Sequence, residues 1–351
     1  MKRESNIELL RIILMLFILM HHLIVHSVCQ SVLTGTGALS LEYATYSVLE
    51  GFFYVGVNVF ILISGYFGIH LCARRIWALY LQCAFYGIVS YVFGVVNSSV
   101  QMVPHTFVTK SVFIFSHASS WWFVTCYLML MFVSPFLNYS IRLLTKKQYL
   151  FALLCMTFLQ FYLGWFWQKP AYDVNGYSLI NFIYLYLIGG YLHRFMLDDN
   201  IAHHKTLLFS IYAICAIIFG CCNIMRLYVN VPMGNLWGYN NPLLIIGAIG
   251  LFLFVRTFRF KSKIVNMFGG GVFAAYLLTD IGYVGDLLYK TFGDFASTIP
   301  YLPFRIVAIV VVAMLLLFFA CCIDLLRVRI MKPFMRAFDW LDGFIENNGR
   351  K

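Results

Sequence analysis

The stretch ELLRIILMLFILMHHLIVH, residues 8–26, is an apolar run with an arginine near one end and adjacent histidines past its middle. A helix of about 20 residues crosses the hydrocarbon core of a bilayer, which is about 30 Å thick. Ionisable side chains at that depth cost several kcal/mol unless they are paired. The stretch therefore predicts a first membrane helix in which Arg11, His21 and His22 have partners or a function.

The whole chain of 351 residues has the composition of a membrane protein, with 62% hydrophobic and 11% charged residues. We expect an all-α polytopic integral membrane protein, one membrane-embedded domain over residues 1–351 with a short basic and aromatic tail at 327–351. No small-residue cleavage site follows the first run, so it is predicted to be a retained span. Ten spans are predicted, near residues 7–28, 46–69, 76–97, 119–139, 148–168, 177–197, 205–226, 239–257, 266–289 and 303–326.

The basic residues favour a membrane orientation over nucleic-acid binding, despite a formal net charge of +11. With ten spans and a cytoplasmic N-terminus, 19 of the 25 Lys and Arg residues fall on the cytoplasmic side, five fall outside, and Arg11 lies in the first helix. Both termini are therefore predicted to be cytoplasmic, with membrane lipids as partners and no nucleic acid. The ten Cys residues lie mostly inside apolar runs, which indicates neither disulfides nor a metal site.

Arg11 and His22 share one face of the first helix. Their separation of eleven residues corresponds to three turns plus about 20°, and to about 16 Å along the axis. His21 lies about 80° from that line, which makes His22 the better candidate, and Glu8 is spaced for an i, i+3 pair with Arg11. Purely structural pairing of these side chains is an alternative interpretation. Metal binding by His22 and His26, spaced i, i+4, lacks further ligands and is not favoured.

A second informative stretch, FFYVGVNVFILISGYFGIHLCARRIWALYL at residues 52–81, combines small residues with a pair of arginines. Small residues at Gly51, Gly56, Ser64, Gly65 and Gly68 predict close approach of another helix. The pair that follows, Arg74 and Arg75, could bind phosphates or could simply set the membrane topology.

The segments NIELLRIILMLFILMHH, VGVNVFILISGYF and RRIWALYL together resemble the membrane-bound acyltransferase 3 family, especially its polysaccharide-modifying branch. Later segments resemble it as well: SSWWFVTCYLMLMFVSPFLN, NFIYLYLIGGYLHRF, YNNPLLIIGAIGLFLF and FGGGVFAAYLLTD. The resemblance covers nearly the whole chain. It implies transfer of an acyl group, usually acetyl from cytoplasmic acetyl-CoA, to a hydroxyl of an extracytoplasmic sugar.

The resemblance also implies roles for particular residues. Arg11 and His22 match the essential pair of the family's first helix, and Arg74 and Arg75 match the basic cluster after its second. Thr279 stands where many members have a histidine, so any role of that histidine is either absent here or passed to Asp280, and residues 125–127 lack the acidic residue that many members carry there. Supporting roles are predicted for Glu8, Ser64, Trp122 and Asp280.

The chemistry required agrees with this interpretation. A base that takes a proton from a sugar hydroxyl near neutral pH is most simply a histidine, here His22. Whether the acetyl group passes directly to the sugar or first to the imidazole is left open. No bound cofactor is expected, because acetyl-CoA is a donor substrate. Its phosphates are predicted to bind four cytoplasmic basic residues, Arg74, Arg75, Lys261 and Lys263.

Two other classes of protein remain as alternatives. A transporter or flippase would use Arg11, His22 and Asp280 to line a substrate or proton path, although the chain shows no internal repeat. A histidine-ligated metal or haem protein would need more intramembrane histidines than the chain has. The leading hypothesis is an O-acyltransferase of the bacterial cytoplasmic membrane that acts on a surface polysaccharide or its lipid-linked precursor.

Overall fold

A computed structural model of the chain describes residues 3–111, 113, 121–196, 201, 203–229, 235–280 and 282–348. Within these ranges the structure is helical and has no strand. The first α-helices in chain order are α1 (Ser5–Leu23), α2 (Gln30–Thr34), α3 (Leu41–Phe53), α4 (Gly56–Phe67), α5 (Ala73–Val96), α6 (Pro104–Ser111), α7 (Trp122–Leu143) and α8 (Lys146–Leu159). The remaining ones are α9 (Leu179–Phe195), α10 (Lys205–Met225), α11 (Pro242–Arg256), α12 (Lys263–Gly269), α13 (Phe273–Thr279), α14 (Tyr283–Ser297) and α15 (Leu302–Asn348). Short π-helical turns extend α1 and α8, at Ile24–Val28 and Gln160–Phe166.

The prediction of a polytopic, all-α membrane protein is confirmed. In the described part of the chain, seven helical segments are long and apolar enough to cross a bilayer, and α12–α14 would add an eighth if counted as one bent span. Predicted spans 177–197 and 239–257 correspond to α9 and α11, of 17 and 15 residues. At 1.5 Å per residue α11 is only about 23 Å long, which is short for a full crossing. The count of ten spans and the cytoplasmic termini therefore stay predictions.

Two of the predicted spans contain breaks. Residues 46–69 correspond to one candidate span, Leu41–Phe67, in which α3 and α4 meet at Tyr54–Val55, and residues 266–289 divide into three helices. The glycine triplet at 269–271 ends α12, and the axes of the α12–α13 segment and α14 differ by 83° across a break that contains Gly282, where φ is +93°. Helix breaks at membrane depth are tolerated where they line a cavity. Asp280, at the second break, and Tyr54, at the first, both line one cavity.

Glycines bring the backbones of α4 and α9 into direct contact, as the small residues predicted. A Cβ atom on Gly65 would lie 2.1 Å from the carbonyl oxygen of Tyr186, and one on Gly189 would lie 2.4 Å from that of Leu62. Glycine at both positions is what allows this separation, because any side chain would force the helices apart. The pair forms a closely packed wall beside the two cavities described below.

The last helix, α15, has 47 residues and is about 70 Å long, far more than a bilayer requires. The predicted tail from residue 327 continues this helix through Asn348 rather than forming a separate segment. Phe338 stacks on Trp77 at the start of α5, with ring centroids 4.9 Å apart. The tail therefore packs beside the Arg74–Arg75 pair.

Candidate active site

A small cavity of about 50 Å³, the histidine cavity, lies where α1, α3, α4, α7 and α13 meet. Eight of its 14 lining residues are aromatic. The lining residues are Met15, Ile18, His21, His22, Phe53, Tyr54, Val57, Phe60, Trp122, Phe123, Tyr239, Phe273, Tyr276 and Asp280. Two imidazoles and a carboxylate thus face a compartment that is otherwise mostly apolar.

His21 forms a short hydrogen bond with a carboxylate from the neighbouring helix. Its Nδ1 lies 2.6 Å from Oε2 of Glu50, a residue that is fully buried at the end of α3. An ionised carboxylate only accepts hydrogen bonds, so in that state Nδ1–H is the donor and Nε2 is the free nitrogen. The ring packs on Tyr54 and Trp237, with centroid distances of 5.0 and 6.0 Å. Glu50 therefore holds the orientation of this imidazole.

His22 faces a second carboxylate on a different helix. Its Nε2 lies 3.6 Å from Oδ1 of Asp280, which stands at the break after α13. The buried Nδ1 of His22 has no hydrogen-bond partner within the described ranges. The ring also packs against His26 and Tyr289, at 5.5 and 6.3 Å between centroids. Adjacent histidines thus have separate carboxylate neighbours.

Stacked aromatic rings form one wall of the histidine cavity. Tyr239 stacks between Tyr54 and Trp122, with centroids 4.7 and 5.2 Å away. The Asn58 side chain donates to the Tyr239 carbonyl oxygen at 2.9 Å, and Tyr54 donates to that of Trp237 at 2.7 Å. Such rings supply flat apolar surfaces of the kind on which a sugar or a short acyl chain can pack.

A buried polar network holds this wall in place. Asp173 accepts hydrogen bonds from Gln160 and Asn240 at 2.7 and 3.1 Å, and Gln160 also donates to Asn181 at 3.1 Å. All four side chains are buried, so each hydrogen bond satisfies a group that would otherwise be costly to bury. Because Asn240 follows Tyr239 directly, the network fixes the loop that carries that ring.

A larger cavity of about 700 Å³, the arginine cavity, lies toward the N-terminus of α1. It is lined by four arginines and two glutamates, which gives these residues a formal charge of +2. The lining residues are Arg3, Glu4, Ile7, Glu8, Arg11, Ile63, Ser64, Tyr66, Phe67, Gly68, Ile69, Arg75, Leu79, Tyr127, Met131, His193 and Arg256. Excess positive charge in a cavity of this size suits an anionic ligand.

Two arginines of this cavity form ion pairs with acidic residues of the N-terminal segment. Arg11 donates to Glu8 at 3.0 Å, which confirms the predicted i, i+3 pair. Arg256 pairs with Glu4 and also lies over the ring of Tyr66, 4.8 Å from its centroid. Arg75 donates to the backbone carbonyl of His70 at 3.0 Å. The cavity thus combines paired arginines with Arg75, whose hydrogen bond leaves its charge uncompensated.

The two cavities lie along one face of α1. Arg11 lines the arginine cavity, while Met15, Ile18 and His22, at i+4, i+7 and i+11 from it, line the histidine cavity. Positions with these spacings are stacked on the same side of an α-helix. The shared face that the sequence predicted for Arg11 and His22 is therefore present in the structure.

Two other helices, α4 and α7, also contribute residues to both cavities. On α4, Phe60 lines the histidine cavity and Ser64 the arginine cavity; on α7, Phe123 and Tyr127 are divided in the same way. The hydroxyl groups of Ser64 and Tyr127 lie 3.4 Å apart, and the rings of Phe123 and Tyr127 are stacked. These side chains form a constriction between the cavities.

The predicted site residues fall into three groups. His22, Trp122 and Asp280 line the histidine cavity, and Glu8, Arg11, Ser64 and Arg75 line the arginine cavity. The three other residues predicted for phosphate binding are exposed and outside both linings: Arg74, Lys261 and Lys263. Arg3 and Arg256, which no sequence pattern selected, occupy the cavity in their place.

Sequence reasoning also missed Glu50, Tyr54 and Tyr239. Glu50 is an acidic residue inside a predicted span, and that alone was a usable signal, since intramembrane carboxylates are rare. Helical geometry places its partner His21 about 80° from the line of Arg11, yet both histidines line the same cavity. In the described part of the chain, no three His, Cys, Asp or Glu side chains converge as a metal site would require.

Comparison with known proteins gave one family match. A family model described as "Acyltransferase domain", named for acyltransferase family 3, matches residues 4–322, which is nearly the whole chain. No curated protein and no solved structure matches the chain significantly. The matched range includes the histidine cavity, both imidazole–carboxylate pairs and every residue that lines the arginine cavity except Arg3.

Proposed function

The chain belongs to acyltransferase family 3, and from this premise we propose that it moves an acetyl group from cytoplasmic acetyl-CoA to a sugar hydroxyl. The expected location is the cytoplasmic membrane of a bacterium, and the expected acceptor is a surface polysaccharide or its lipid-linked precursor. Membership in an acyltransferase family makes the chain a membrane-bound acyltransferase. It gives no support to the alternative of a transporter or flippase.

The observation that carries the proposal is the alignment of the two cavities on one side of α1. Arg11 and Arg75 lie in the arginine cavity, which is large and positively charged, and His22 lies in the small apolar one beyond the constriction. CoA has charged phosphates at one end and an uncharged thioester at the other. Only the thioester end can enter an apolar cavity without a large desolvation cost.

The donor is therefore expected to bind with its phosphates at Arg75, Arg11 and neighbouring basic groups, and with its pantetheine arm directed past Ser64 and Tyr127. Arginine binds phosphate oxygens with two parallel hydrogen bonds, which favours it over lysine at such a site. The constriction has to widen for the arm to pass, because the Ser64 and Tyr127 hydroxyls are only 3.4 Å apart. Lys261 and Lys263 stay candidates for outer contacts with the nucleotide.

Transfer in the histidine cavity requires a base next to the thioester. The sugar hydroxyl gives its proton to His22 while its oxygen attacks the thioester carbonyl carbon. The carbon–sulfur bond then breaks, the ester forms, and the CoA sulfur takes up the proton from the imidazole. Asp280, on the Nε2 side of His22, orients the ring so that the other nitrogen receives the proton.

His21 and Glu50 form a second imidazole–carboxylate pair beside the reacting groups. Because Glu50 occupies Nδ1, the free Nε2 of His21 is available to the substrates in the same cavity. We assign this pair to positioning the thioester beside His22. The loss of transfer rate when each histidine is replaced in turn measures which of the two contributes more.

The decisive experiment uses the purified full-length protein in detergent with labelled acetyl-CoA and a panel of polysaccharide acceptors. Wild type is expected to label an acceptor, and His22→Ala is expected to lose at least about 100-fold in rate, the usual value of a positioned base. His204→Ala, which removes an exposed imidazole outside the cavity lining, is the matched control. Equal transfer by wild type and His22→Ala, or no transfer to any acceptor, would contradict the proposal.

A further inference from the structure

A third cavity of about 570 Å³, the Arg226 cavity, lies at the opposite ends of the helices from the arginine cavity. Helix α11 begins in the Arg226 cavity, at Pro242, and ends at Arg256 in the arginine cavity. The lining residues are Thr34, Gly35, Trp165, Gln168, Cys222, Met225, Arg226, Val229, Asn235, Leu236, Asn241, Pro242 and Leu243. If the arginine cavity opens to the cytoplasm, this one faces the other side of the membrane.

Arg226 carries the only formal charge among the described residues that line this cavity. Its guanidinium donates to the Asn223 side chain at 3.1 Å and to the Leu33 carbonyl at 3.4 Å, both of which are uncharged. Gly35, at φ +69°, lies against it, and a Cβ atom there would be 2.3 Å from Nη2. These contacts therefore fix the position of the guanidinium. Its charge is not neutralised by Asn223 or by the Leu33 carbonyl, because both are uncharged.

The rest of the cavity has the groups that bind carbohydrates. Trp165 is fixed by a hydrogen bond from its Nε1 to the Asn235 carbonyl at 3.0 Å, and its ring lines the cavity. Gln168 and Asn235 also line the cavity, and the Asn235 side-chain amide is hydrogen-bonded to Asn175 and to the Trp237 backbone N–H. A flat indole with the Gln168 amide nearby suits the apolar face and the hydroxyls of a sugar ring. The volume falls within the range of small-molecule sites.

The Arg226 cavity is linked to the histidine cavity by Trp237. The Oδ1 atom of Asn223 accepts hydrogen bonds from both Arg226 and the Trp237 indole, each at 3.1 Å. The other side of Trp237 faces His21, with ring centroids 6.0 Å apart. Only one buried side chain, that of Trp237, therefore separates Arg226 and its Asn223 partner from the imidazole of His21.

We infer that the Arg226 cavity binds an acidic sugar unit of the acceptor, one that carries a carboxylate or a phosphate next to the unit being acylated. The uncompensated arginine selects the anion, Trp165 supports the ring, and the short distance past Trp237 brings a neighbouring hydroxyl to the histidines. This inference rests on the proposed function, and it adds a class of acceptor to it.

The test is direct binding, measured by titration calorimetry on the full-length protein in detergent. The probes are a galacturonate oligosaccharide, glucose 1-phosphate and a neutral malto-oligosaccharide. Wild type is expected to bind at least one acidic probe about tenfold or more tighter than the neutral one, with affinity that falls as salt is added. Binding of only one acidic probe distinguishes a carboxylate from a phosphate as the recognised group.

Arg226→Gln is expected to lose about tenfold or more in affinity for the acidic probe, with Arg226→Lys intermediate. The matched control is Lys169→Gln, which removes a charge from an exposed residue that lies outside the cavity lining. A wild type that binds acidic and neutral probes equally would overturn the inference. So would an Arg226→Lys variant with wild-type thermal stability and wild-type affinity for every acidic probe.

Acetyl transfer measured in parallel separates this inference from the proposed function. Selective binding of an acidic probe without transfer from acetyl-CoA would count against the proposed function and leave the Arg226 site standing. Transfer to acidic acceptors at equal rates in wild type and Arg226→Gln would support the function and overturn the Arg226 site.

Discussion

The Nδ1 atom of His21 lies 2.6 Å from Oε2 of Glu50, a buried carboxylate contributed by a separate helix. This contact links α1 to α3 beside the histidine cavity, since His21 belongs to α1 and Glu50 lies near the end of α3. A buried carboxylate with one short hydrogen bond orients a histidine ring far more strongly than an exposed one.

Glu50→Gln should therefore reduce transfer without weakening donor binding. Gln keeps the shape but removes the charge that holds the imidazole in one orientation, so we expect kcat to fall about 10- to 100-fold with an unchanged KM for acetyl-CoA. Steady-state kinetics with a fixed acceptor measures both values. Glu42→Gln, which changes an acidic residue at the other end of α3, is the control, and an unaltered kcat in Glu50→Gln would remove Glu50 from the site.

Asp280→Asn should lower kcat because the amide cannot orient His22 as the carboxylate does. Asp280 lies 3.6 Å from Nε2, so the contact must tighten when substrates bind, and we expect a fall of about tenfold or more. If the two residues act as one unit, the double variant Asp280→Asn with His22→Ala will be no slower than His22→Ala alone. Additive losses would show that Asp280 and His22 act independently.

Arg75→Gln should raise the KM for acetyl-CoA about tenfold, because Arg75 lines the arginine cavity and donates there to an uncharged backbone carbonyl. Lys263→Gln, at an exposed residue outside that lining, should change the KM for acetyl-CoA less than about twofold. Direct titration with desulfo-CoA checks both expectations. A larger effect at Lys263 than at Arg75 would move the phosphate site out of the cavity.

The size of the histidine cavity predicts selectivity for short acyl chains. A cavity of only about 50 Å³ is far below the usual range of small-molecule sites, so wild type should prefer acetyl-CoA over butyryl-CoA by about tenfold or more. Phe60→Ala enlarges the cavity and should reduce the preference for acetyl-CoA over butyryl-CoA. Phe151→Ala, at a ring exposed on the protein surface, should leave that preference unchanged. The ratio of kcat/KM values for the two donors is the measurement.

Gly65→Ala should destabilise the fold, because its Cβ would lie 2.1 Å from the Tyr186 carbonyl oxygen. Overpacking of this kind costs about 2 kcal/mol or more. Gly247→Ala is the matched control, since a Cβ at that buried position in α11 would meet its nearest atom at 3.4 Å, an ordinary contact. Thermal unfolding in detergent compares the variants, and equal midpoints would mean that α4 and α9 separate at low cost.

The sequence was most informative where contacts are local along a helix. The Glu8–Arg11 pair and the common face of Arg11 and His22 follow from helical periodicity alone, and both are present in the structure. Close packing at Gly65 was also predictable, because small residues in an apolar helix have few other uses.

Contacts between distant segments were not predictable in this way. Glu50 meets His21, and Arg256 meets Glu4, only after the helices have packed. No helical periodicity relates Glu4 and Arg256, which are 252 positions apart. The breaks at Tyr54 and at Asp280 are not predicted by the sequence pattern, because apolar composition alone does not show where a span is interrupted. Lys263 was selected for its charge, whereas access to a cavity depends on how the end of α12 is oriented.

The contact between the α4 and α9 backbones determines which side of the donor path can move. Two helices in contact through main-chain atoms have no side chains between them that could change rotamer, so they can shift only together as a rigid body. Phe123 and Tyr127, in contrast, reach the path through long side chains of α7. Opening of the passage for each donor molecule is therefore expected to come from rotation of these two rings on α7, while α4 and α9 stay in place.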